Sequence, residues 1–320
     1  MGKFISKYRY LFIAGVAIFF IAIAAVAVGS TAPSGFPVSA DVTIAQGMTL
    51  NQAADILKQD GIIRSTLLYR AYTVLLGGKT SVKSGDYLFD QPQSALRVAY
   101  RLANGVEGFA AIKVTIPEDL ASSDIARLIV RYIPGFDGKT FAALAKPQEG
   151  YLYPDTYFFT EKTTPQQAVA AMRQNFDQRI KTLTIPPAFA DKKWSDVMIM
   201  ASLVGKEAPS TTDRCIIAGI LWKRLASGMP LQVDTPFFYI FGRTSAQVTV
   251  TDLATTSPYN TYKHTGLPPT PVDNPDLDAI SDTINPVDTS YWFFLAGNDG
   301  KIYYASDLAG HIANRQKHLN

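Results

Sequence analysis

The longest hydrophobic pattern in the sequence is an uninterrupted run near its start. Residues 10–29 carry no charged side chain, and about 20 such residues make a helix long enough to cross the hydrocarbon core of a bilayer. A cleavable signal peptide, which could end at Ala25-Val26-Ala27, usually has an apolar region of only about 7–15 residues. The run therefore favours an uncleaved single-pass anchor within residues 1–29, with a signal peptide as the alternative.

Short helical and extended patterns alternate after the anchor. Small residues and prolines over 30–39 predict a linker. The periodicity of apolar residues then predicts strands over 41–45 and 84–89, and helices over 50–58, from Ser65 onward and over 94–102. We therefore expect a small α+β module over residues 40–108, and this module resembles a wall-binding LysM-like unit.

The remaining residues, 109–320, carry a longer mixture of helical and extended patterns. Helices are predicted over 123–131, from Pro165 onward, over 194–208, 212–227 and 276–284 and at the C-terminus, and strands over 112–116, 291–296 and 302–305. Prolines, threonines and tyrosines dominate 228–275, where we expect mostly turns and loops. The predicted fold class is α+β: a transmembrane helix, the small module, and a larger domain of mixed helices and strands.

The charge distribution adds a compartment and excludes one class of partner. The excess of basic over acidic residues, 30 against 27, lies entirely at Lys3, Lys7 and Arg9. Because basic residues beside an apolar span stay in the cytoplasm, we expect residues 30–320 on the outer side of the plasma membrane. The rest of the chain is electrically neutral and lacks the basic surface that a phosphate backbone requires, which excludes nucleic acid as a partner.

Composition and motifs exclude several chemistries. With 47% hydrophobic and 18% charged residues, the chain has enough apolar side chains for packed cores and is not a disordered chain. One cysteine, Cys215, can form no internal disulfide or zinc cage, and the three histidines lie in no His-Glu-x-x-His pattern. Gly-x-Ser-x-Gly and Ser-x-x-Lys motifs are missing as well. We therefore expect a site without a metal or a cofactor.

One carboxylate, Glu207, stands out in the helix predicted over 194–208. Apolar residues lie three, four and seven positions before it, so Glu207 shares their face of the helix. Burial on that face and the negative end of the helix dipole both raise the pKa of a carboxyl group. A carboxyl that is protonated near neutral pH can act as a general acid. The alternative is a structural ion pair between Glu207 and Arg214 or Arg224.

Aromatic, amide and hydroxyl groups concentrate in the segment expected as loops. These groups include Gln232, Asp234, Tyr259, Asn260 and Tyr262. They suit a sugar ligand, which is held by stacking and neutral hydrogen bonds, and long loops are often functional. The alternative is a well-ordered loop whose tyrosines belong to the core.

Together, these motifs resemble the endolytic murein transglycosylase family, also known as YceG-like or MltG. The segments that carry the resemblance are Glu149-Gly150-Tyr151-Leu152-Tyr153-Pro154-Asp155-Thr156-Tyr157, Ala201-Ser202-Leu203-Val204-Gly205-Lys206-Glu207-Ala208, Arg224-Leu225, Gly228-Met229-Pro230-Leu231-Gln232-Val233-Asp234, Ser257-Pro258-Tyr259-Asn260-Thr261-Tyr262 and Gly266-Leu267-Pro268-Pro269. The resemblance runs from the anchor to about His311, with the motifs in the same order.

The resemblance implies a peptidoglycan lytic transglycosylase with a catalytic YceG-like domain over 109–320. Such an enzyme cleaves the β-1,4 bond between MurNAc and GlcNAc inside nascent glycan strands, which would terminate strand elongation. The family's catalytic glutamate falls on Glu207. It would protonate the bridging oxygen and then accept the proton of the sugar's own C6 hydroxyl, leaving a 1,6-anhydroMurNAc end. This chemistry needs one carboxylate, whereas ordinary glycosidases need two.

The resemblance also implies partners and a substrate cleft. The partners are peptidoglycan glycan strands, the membrane through the N-terminal helix, and the wall-elongation machinery. The residues expected in the substrate cleft are Gln232, Asp234, Tyr259, Asn260 and Tyr262.

Two positions depart from the family pattern. Gly205 stands where the family usually has a first glutamate, and a glycine there could alter activity or leave space for the glycan. Asp119 replaces the glycine that usually follows Ile116-Pro117-Glu118. Because Asp119 lies far from Glu207 along the chain, the sequence assigns it little functional weight.

Two other functions stay open from the sequence. One is a glycoside hydrolase that uses Asp234 as a second carboxylate, as ordinary glycosidases do. The other is a membrane-anchored, peptidoglycan-binding scaffold with weak catalytic activity, which Gly205 makes conceivable.

Overall fold

The computed structural model describes residues 2–77, 82–242 and 247–319, with side chains from residue 12 onward. The chain forms two compact units, Met1–Ala110 and Ala111–Asn320. Both units mix helices with short antiparallel strands, as the α+β prediction requires.

The first unit begins with one long apolar helix, α1, over Gly2–Ser30. Its stretch Phe12–Ser30 has a mean hydropathy of 2.7 and is exposed along its length. Among the described residues it is the one helix long and apolar enough to cross a membrane. This helix is compatible with a single-pass membrane protein.

The rest of the first unit is a two-stranded sheet with helices. Its elements are β1 (Ala40–Ile44), α2 (Leu50–Gln59), α3 (Thr66–Leu75), β2 (Gly85–Phe89) and α4 (Ala95–Asn104). The strands pair antiparallel, with Ala40 opposite Phe89. Ser65 caps α3 by accepting a hydrogen bond from the Leu68 amide, and Gly105 ends α4 in a left-handed conformation. Each predicted element of this unit is therefore present, because caps and apolar periodicity mark it in the sequence.

The second unit contains nine α-helices and four strands among its described residues. They are β3 (Ile112–Thr115), α5 (Ser122–Tyr132), α6 (Gly138–Ala145), β4 (Thr156–Phe159), α7 (Pro165–Arg179), α8 (Trp194–Glu207), α9 (Thr211–Ala226), α10 (Thr235–Phe241), α11 (Val250–Leu253), α12 (Leu277–Ile284), β5 (Phe293–Ala296), β6 (Ile302–Ala305) and α13 (Leu308–His318), with 3-10 turns at Lys146–Gln148, Ile180–Thr182 and Pro187–Phe189. β3 pairs with β4 and β5 with β6, both antiparallel.

Four elements of the second unit are missing from the sequence prediction: α6, β4, α10 and α11. The three helices have eight, seven and four residues, so each spans about two turns or fewer and carries only a weak helical period. β4 is a four-residue run of strand-forming residues directly after a segment rich in glycine and proline, and it pairs in register with β3. The described residues of 228–275 are mostly turns and loops, as expected, apart from the short helices α10 and α11.

Helix α8 is the central element of the second unit. Its residues 197–204 are all buried, and it packs against α9 and α12. A helix that is apolar on every side is stable only inside a core. Burial of α8 fixes the position of its last residue, Glu207.

Helix α9 passes so close to the chain at Val287 that Gly219 has no room for a side chain. A Cβ atom at Gly219 would overlap the backbone carbonyl of Val287, whose amide is itself bonded to the Cys215 carbonyl at 3.0 Å. We therefore expect Gly219→Ala to lower the free energy of unfolding by about 1–3 kcal/mol. At a helix position with free space, the same glycine-to-alanine change would raise the free energy of unfolding by up to about 1 kcal/mol.

Thermal unfolding of the detergent-solubilised chain measures this effect. Thr212→Ala, at an exposed position of the same helix, is the matched control. A melting temperature for Gly219→Ala equal to or above that of the unchanged chain would contradict the close approach of α9 to Val287.

Candidate active site

Glu207 is the last residue of α8. The following residue, Ala208, has an extended conformation (φ −154°, ψ 143°), as expected for a residue before proline. On the same face of α8 lie Met200, Leu203 and Val204, all fully buried. Glu207 therefore lies at the end of an apolar helix face, as predicted.

The carboxyl group of Glu207 is held by a hydroxyl from the start of α10. Thr235 Oγ1 donates a hydrogen bond to Glu207 Oε1 at 2.7 Å, and Thr235 itself is buried. Neither arginine considered as an ion-pair partner reaches Glu207. Arg214 pairs with Asp282 at 2.6 Å, and Arg224 donates to the carbonyls of Leu231 and Trp292. Among the described side chains, Glu207 therefore has a hydroxyl partner and no cation.

These surroundings raise the pKa of Glu207 to about 7. Burial is the largest cause, because it penalises the charged carboxylate. The negative charge of Asp234 adds to the increase, and the hydrogen bonds from Thr235 oppose it. A large fraction of Glu207 is therefore protonated near neutral pH, which is the state a general acid requires.

Asp234 and Tyr262 form a hydrogen-bonded pair next to Thr235. The Tyr262 hydroxyl donates to Asp234 Oδ1 at 2.6 Å. Burial, followed by the charge of Asp234, raises the pKa of Tyr262, so the phenol stays neutral and keeps its proton. Because Asp234 precedes Thr235 in the chain, the structure brings Glu207, Asp234 and Tyr262 into one neighbourhood.

The other three residues predicted in a substrate cleft have different surroundings. Gln232 is exposed, with a left-handed backbone (φ 53°). Tyr259 is half-buried, with its hydroxyl 2.8 Å from Thr270 Oγ1 and its ring against Tyr239. Asn260 is fully buried.

The side chain of Asn260 is bonded within its own loop, unlike that of a residue in direct contact with substrate. Its Nδ2 donates to the carbonyls of Leu253 and Thr255, and its Oδ1 accepts from the Tyr262 amide. Every polar group of this side chain is therefore used inside the loop. The prediction of a direct substrate contact for Asn260 is not supported by this geometry, which is that of a residue that fixes the loop.

A cavity of about 840 Å³ lies against the last turn of α8, within the size range of ligand sites. Gly205, Lys206 and Ala208 contribute one wall, and the loop after β3 and helix α10 contribute others, including Asp119 and Phe238. Residues on both sides of Glu207 in the sequence therefore border this cavity.

Two polar features of this region, the Thr235 hydroxyl and the pair formed by Lys206 and Asp273, are not predicted from the sequence. Thr235 lies 28 positions from the glutamate that it binds, and a single threonine carries no periodic signal. Lys206 Nζ lies 3.3 Å from Oδ2 of the fully buried Asp273 and 4.9 Å from the centre of the Phe238 ring. Burial raises the pKa of Asp273 well above its ordinary value. Among the described residues, no group of three or more His, Cys, Asp or Glu side chains is arranged to hold a metal ion.

The fold and the site together are those of an α+β protein in which Glu207, a carboxyl group with a raised pKa, ends a helix whose last turn borders a large cavity. The chain belongs to the YceG-like family, whose sequence model matches residues 42–317.

Named relatives and a solved structure agree with this membership. The endolytic murein transglycosylase of Bacillus subtilis is 28% identical over an alignment of 307 positions, which covers 88% of this chain and 85% of that protein. The endolytic murein transglycosylase of Streptococcus pneumoniae is 27% identical over 87% of this chain, but the match spans only 58% of that longer protein. The crystal structure of a YceG-like protein from Listeria monocytogenes has a TM-score of 0.56 and 27% identity, covering 86% of this chain and 98% of that one.

Proposed function

We propose that this protein is an endolytic murein transglycosylase that cleaves the β-1,4 bond between MurNAc and GlcNAc in nascent glycan strands. The observation that carries the proposal is Glu207, a carboxyl group with a pKa of about 7 whose sequence neighbours Lys206 and Ala208 line the cavity. Relatives named endolytic murein transglycosylase match most of the chain and support the same reaction.

The proposed reaction uses Glu207 twice. Its protonated carboxyl gives a proton to the bridging oxygen, and the bond from that oxygen to C1 of MurNAc breaks. The C6 hydroxyl of the same sugar then attacks C1 and transfers its proton to the Glu207 carboxylate. The products are a 1,6-anhydroMurNAc end and a GlcNAc hydroxyl, and no water is consumed. An attack within one sugar ring avoids the entropic cost of bringing in a second reactant.

Thr235, Asp234 and Tyr262 are proposed to support this chemistry. Thr235 holds the Glu207 carboxyl at 2.7 Å, which limits its rotation. The charge of Asp234 raises the pKa of Glu207, and Tyr262 holds Asp234 through its hydroxyl. Gln232 and Tyr259 are exposed or half-buried on the same loops and are proposed to contact the glycan.

A hydrolase that uses Asp234 as its second carboxylate is the second candidate function. Asp234 is close enough to Glu207 for its charge to raise the pKa of Glu207. A hydrolase with two carboxylates adds water to C1, so cleavage in water enriched in the heavy oxygen isotope would label the new end. The proposed lyase reaction leaves no label there. A chain that binds glycan strands but never cleaves them would instead be the scaffold that Gly205 made conceivable.

The first unit is proposed to bring the enzyme to its substrate. The apolar helix α1 supports a single-pass anchor within 1–29, and Lys3, Lys7 and Arg9 support a cytoplasmic N-terminus. A linker over 30–39 and a LysM-like module over 40–108 would then stand outside the membrane. The order of strand, two helices and paired strand in that module supports this assignment. We propose peptidoglycan strands as the substrate of the domain over 109–320, and the wall-elongation machinery as its neighbour.

The pKa of Glu207 predicts the pH dependence of cleavage. Above a pH of about 7, the rate should fall about tenfold per pH unit, because the protonated acid becomes scarce. Thr235→Val removes a donor that favours the carboxylate, so the alkaline limb of the profile should move to higher pH. Rates of glycan cleavage between pH 5 and 9 measure both effects, with the exposed Thr212→Val as control. A profile with the same alkaline limb in Thr235→Val and in the unchanged chain would contradict this role of Thr235.

A further inference from the structure

Asp119 has an unusual backbone conformation in the loop between β3 and α5. Its φ angle is 56°, in the left-handed region that residues other than glycine rarely adopt. The conformation is held by the Asp119 amide, which donates to the Asn274 carbonyl at 3.1 Å. The loop therefore places Asp119 in the wall of the cavity.

That place lies directly over Gly205. A Cβ atom at position 205 would lie 2.5 Å from Asp119 Oδ1 and 3.2 Å from its Cγ. The carboxylate thus fills the space in which a side chain at 205 would begin. The two positions that depart from the family pattern are 86 residues apart in the sequence (205 − 119) but in contact in the structure.

The Asp119 carboxylate lacks a full set of partners among the described residues. Its Oδ1 is buried without a hydrogen-bond donor. Burial raises the pKa of Asp119 to about 6, opposed by the positive charge of Lys206. An unpaired buried acceptor is costly, and Asp119 also lines the cavity next to the last turn of α8, so rotation of the carboxylate toward the cavity would expose this oxygen to a ligand. A donor on a bound ligand would compensate this cost.

We infer that Asp119 is a substrate-binding residue, which supplies from the loop after β3 the carboxylate that a glutamate at position 205 would otherwise provide. It accepts a hydrogen bond from a hydroxyl or an amide N–H of a sugar bound in the cavity. The identity of this ligand rests on the proposed function. The absence of a side chain at Gly205 is, in this account, the condition that gives the carboxylate its place.

Kinetics of the full chain on uncrosslinked glycan strands test this role. Asp119→Asn keeps the size of the side chain and tolerates the left-handed backbone. It should raise KM about fivefold, because a charge-assisted hydrogen bond from the ligand becomes a weaker bond to a neutral amide, and change kcat less than about twofold. Asp124→Asn is the matched control, because Asp124 borders the same cavity but is already paired with Arg127. Equal KM values for the two variants would overturn the inference.

Exchange of the two side chains gives a second test. Gly205→Glu alone should lower kcat/KM at least about tenfold, since the two carboxyl groups compete for one space. Asp119→Gly combined with Gly205→Glu should restore kcat/KM to within about threefold of the unchanged chain. A double variant as impaired as the product of the two single effects would overturn the exchange.

A failure of the proposed function would appear as no cleavage by the unchanged chain, and it can be distinguished from a failure of the role inferred for Asp119. If the unchanged chain does not cleave, calorimetry of glycan strands binding to the full chain measures the contribution of Asp119 to binding. Weaker binding by Asp119→Asn than by Asp124→Asn supports the inference, and equal binding overturns it. Melting temperatures show whether each variant is folded.

Discussion

Replacing Glu207 with glutamine should lower the rate of glycan cleavage by a factor of about a thousand or more. Loss of a positioned general acid typically costs a factor of about 10²–10⁴, and in the proposed reaction the same carboxyl also serves as the base. Glutamine keeps the shape of the side chain and can still accept the hydrogen bond from Thr235. The remaining difference is the proton that glutamine cannot donate. Rates of release of new glycan ends by the purified chain measure the effect.

The loss should not come from unfolding. The pKa of Glu207 is about 7 in the folded chain, compared with an ordinary value of 4.5. The stability that this group contributes is therefore complete below pH 4.5 and is lost as the pH rises through 7. A glutamine has no such loss, so Glu207→Gln should melt at least as high as the unchanged chain above pH 7. Glu161→Gln, at an exposed position, is the control, and cleavage by Glu207→Gln at the rate of this control would contradict the assignment.

Replacing Glu149 with alanine should strongly destabilise the second unit. Glu149 is 3% exposed and accepts hydrogen bonds from the amide and hydroxyl of Ser122 and from Asn274 Nδ2, at 2.7–2.9 Å. Its carboxylate caps the N-terminus of α5 from another part of the chain, where the helix dipole favours negative charge. Asn274 in turn accepts from the amides of Gly150 and Leu152. One side chain thus connects three segments.

Truncation at Glu149 leaves these buried donors without an acceptor. We expect the free energy of unfolding to fall by about 3–5 kcal/mol, and the melting temperature to fall by roughly 10 °C. Glu149→Gln keeps one acceptor oxygen and should lose less than half of this. Glu161→Ala, in an exposed turn, is the control for the loss of a glutamate. Equal melting temperatures for the two alanine variants would contradict the role of Glu149 in joining these segments.

Local signals in the sequence account for most of the helices and for the position of Glu207. Helix α7 begins at Pro165, after a capping box at Thr164, and both proline and threonine mark such a start. The apolar spacing along α8 places Glu207 on a buried face, and burial is the largest cause of its raised pKa. These features depend on residues within a few positions of one another, so the sequence alone predicts them.

Features that depend on distant residues could not be predicted in this way. Thr235 reaches Glu207 from a seven-residue helix, and Glu149 reaches α5 across 27 positions. Asp119 has little weight in the sequence because it lies far from Glu207 along the chain, yet the fold seats it against Gly205. Asn260 has a polar side chain that suits a sugar, but the loop uses all of its hydrogen-bonding groups.

In the proposed reaction, one carboxyl, Glu207, drives cleavage without water. The mass of the glycan ends that the full chain produces from uncrosslinked peptidoglycan strands, read by mass spectrometry beside those of Glu207→Gln, tests this directly. We expect 1,6-anhydroMurNAc ends, lighter by one water than reducing ends, from the unchanged chain and almost none from the variant. Reducing ends from the unchanged chain would contradict this role of Glu207 and indicate a hydrolase.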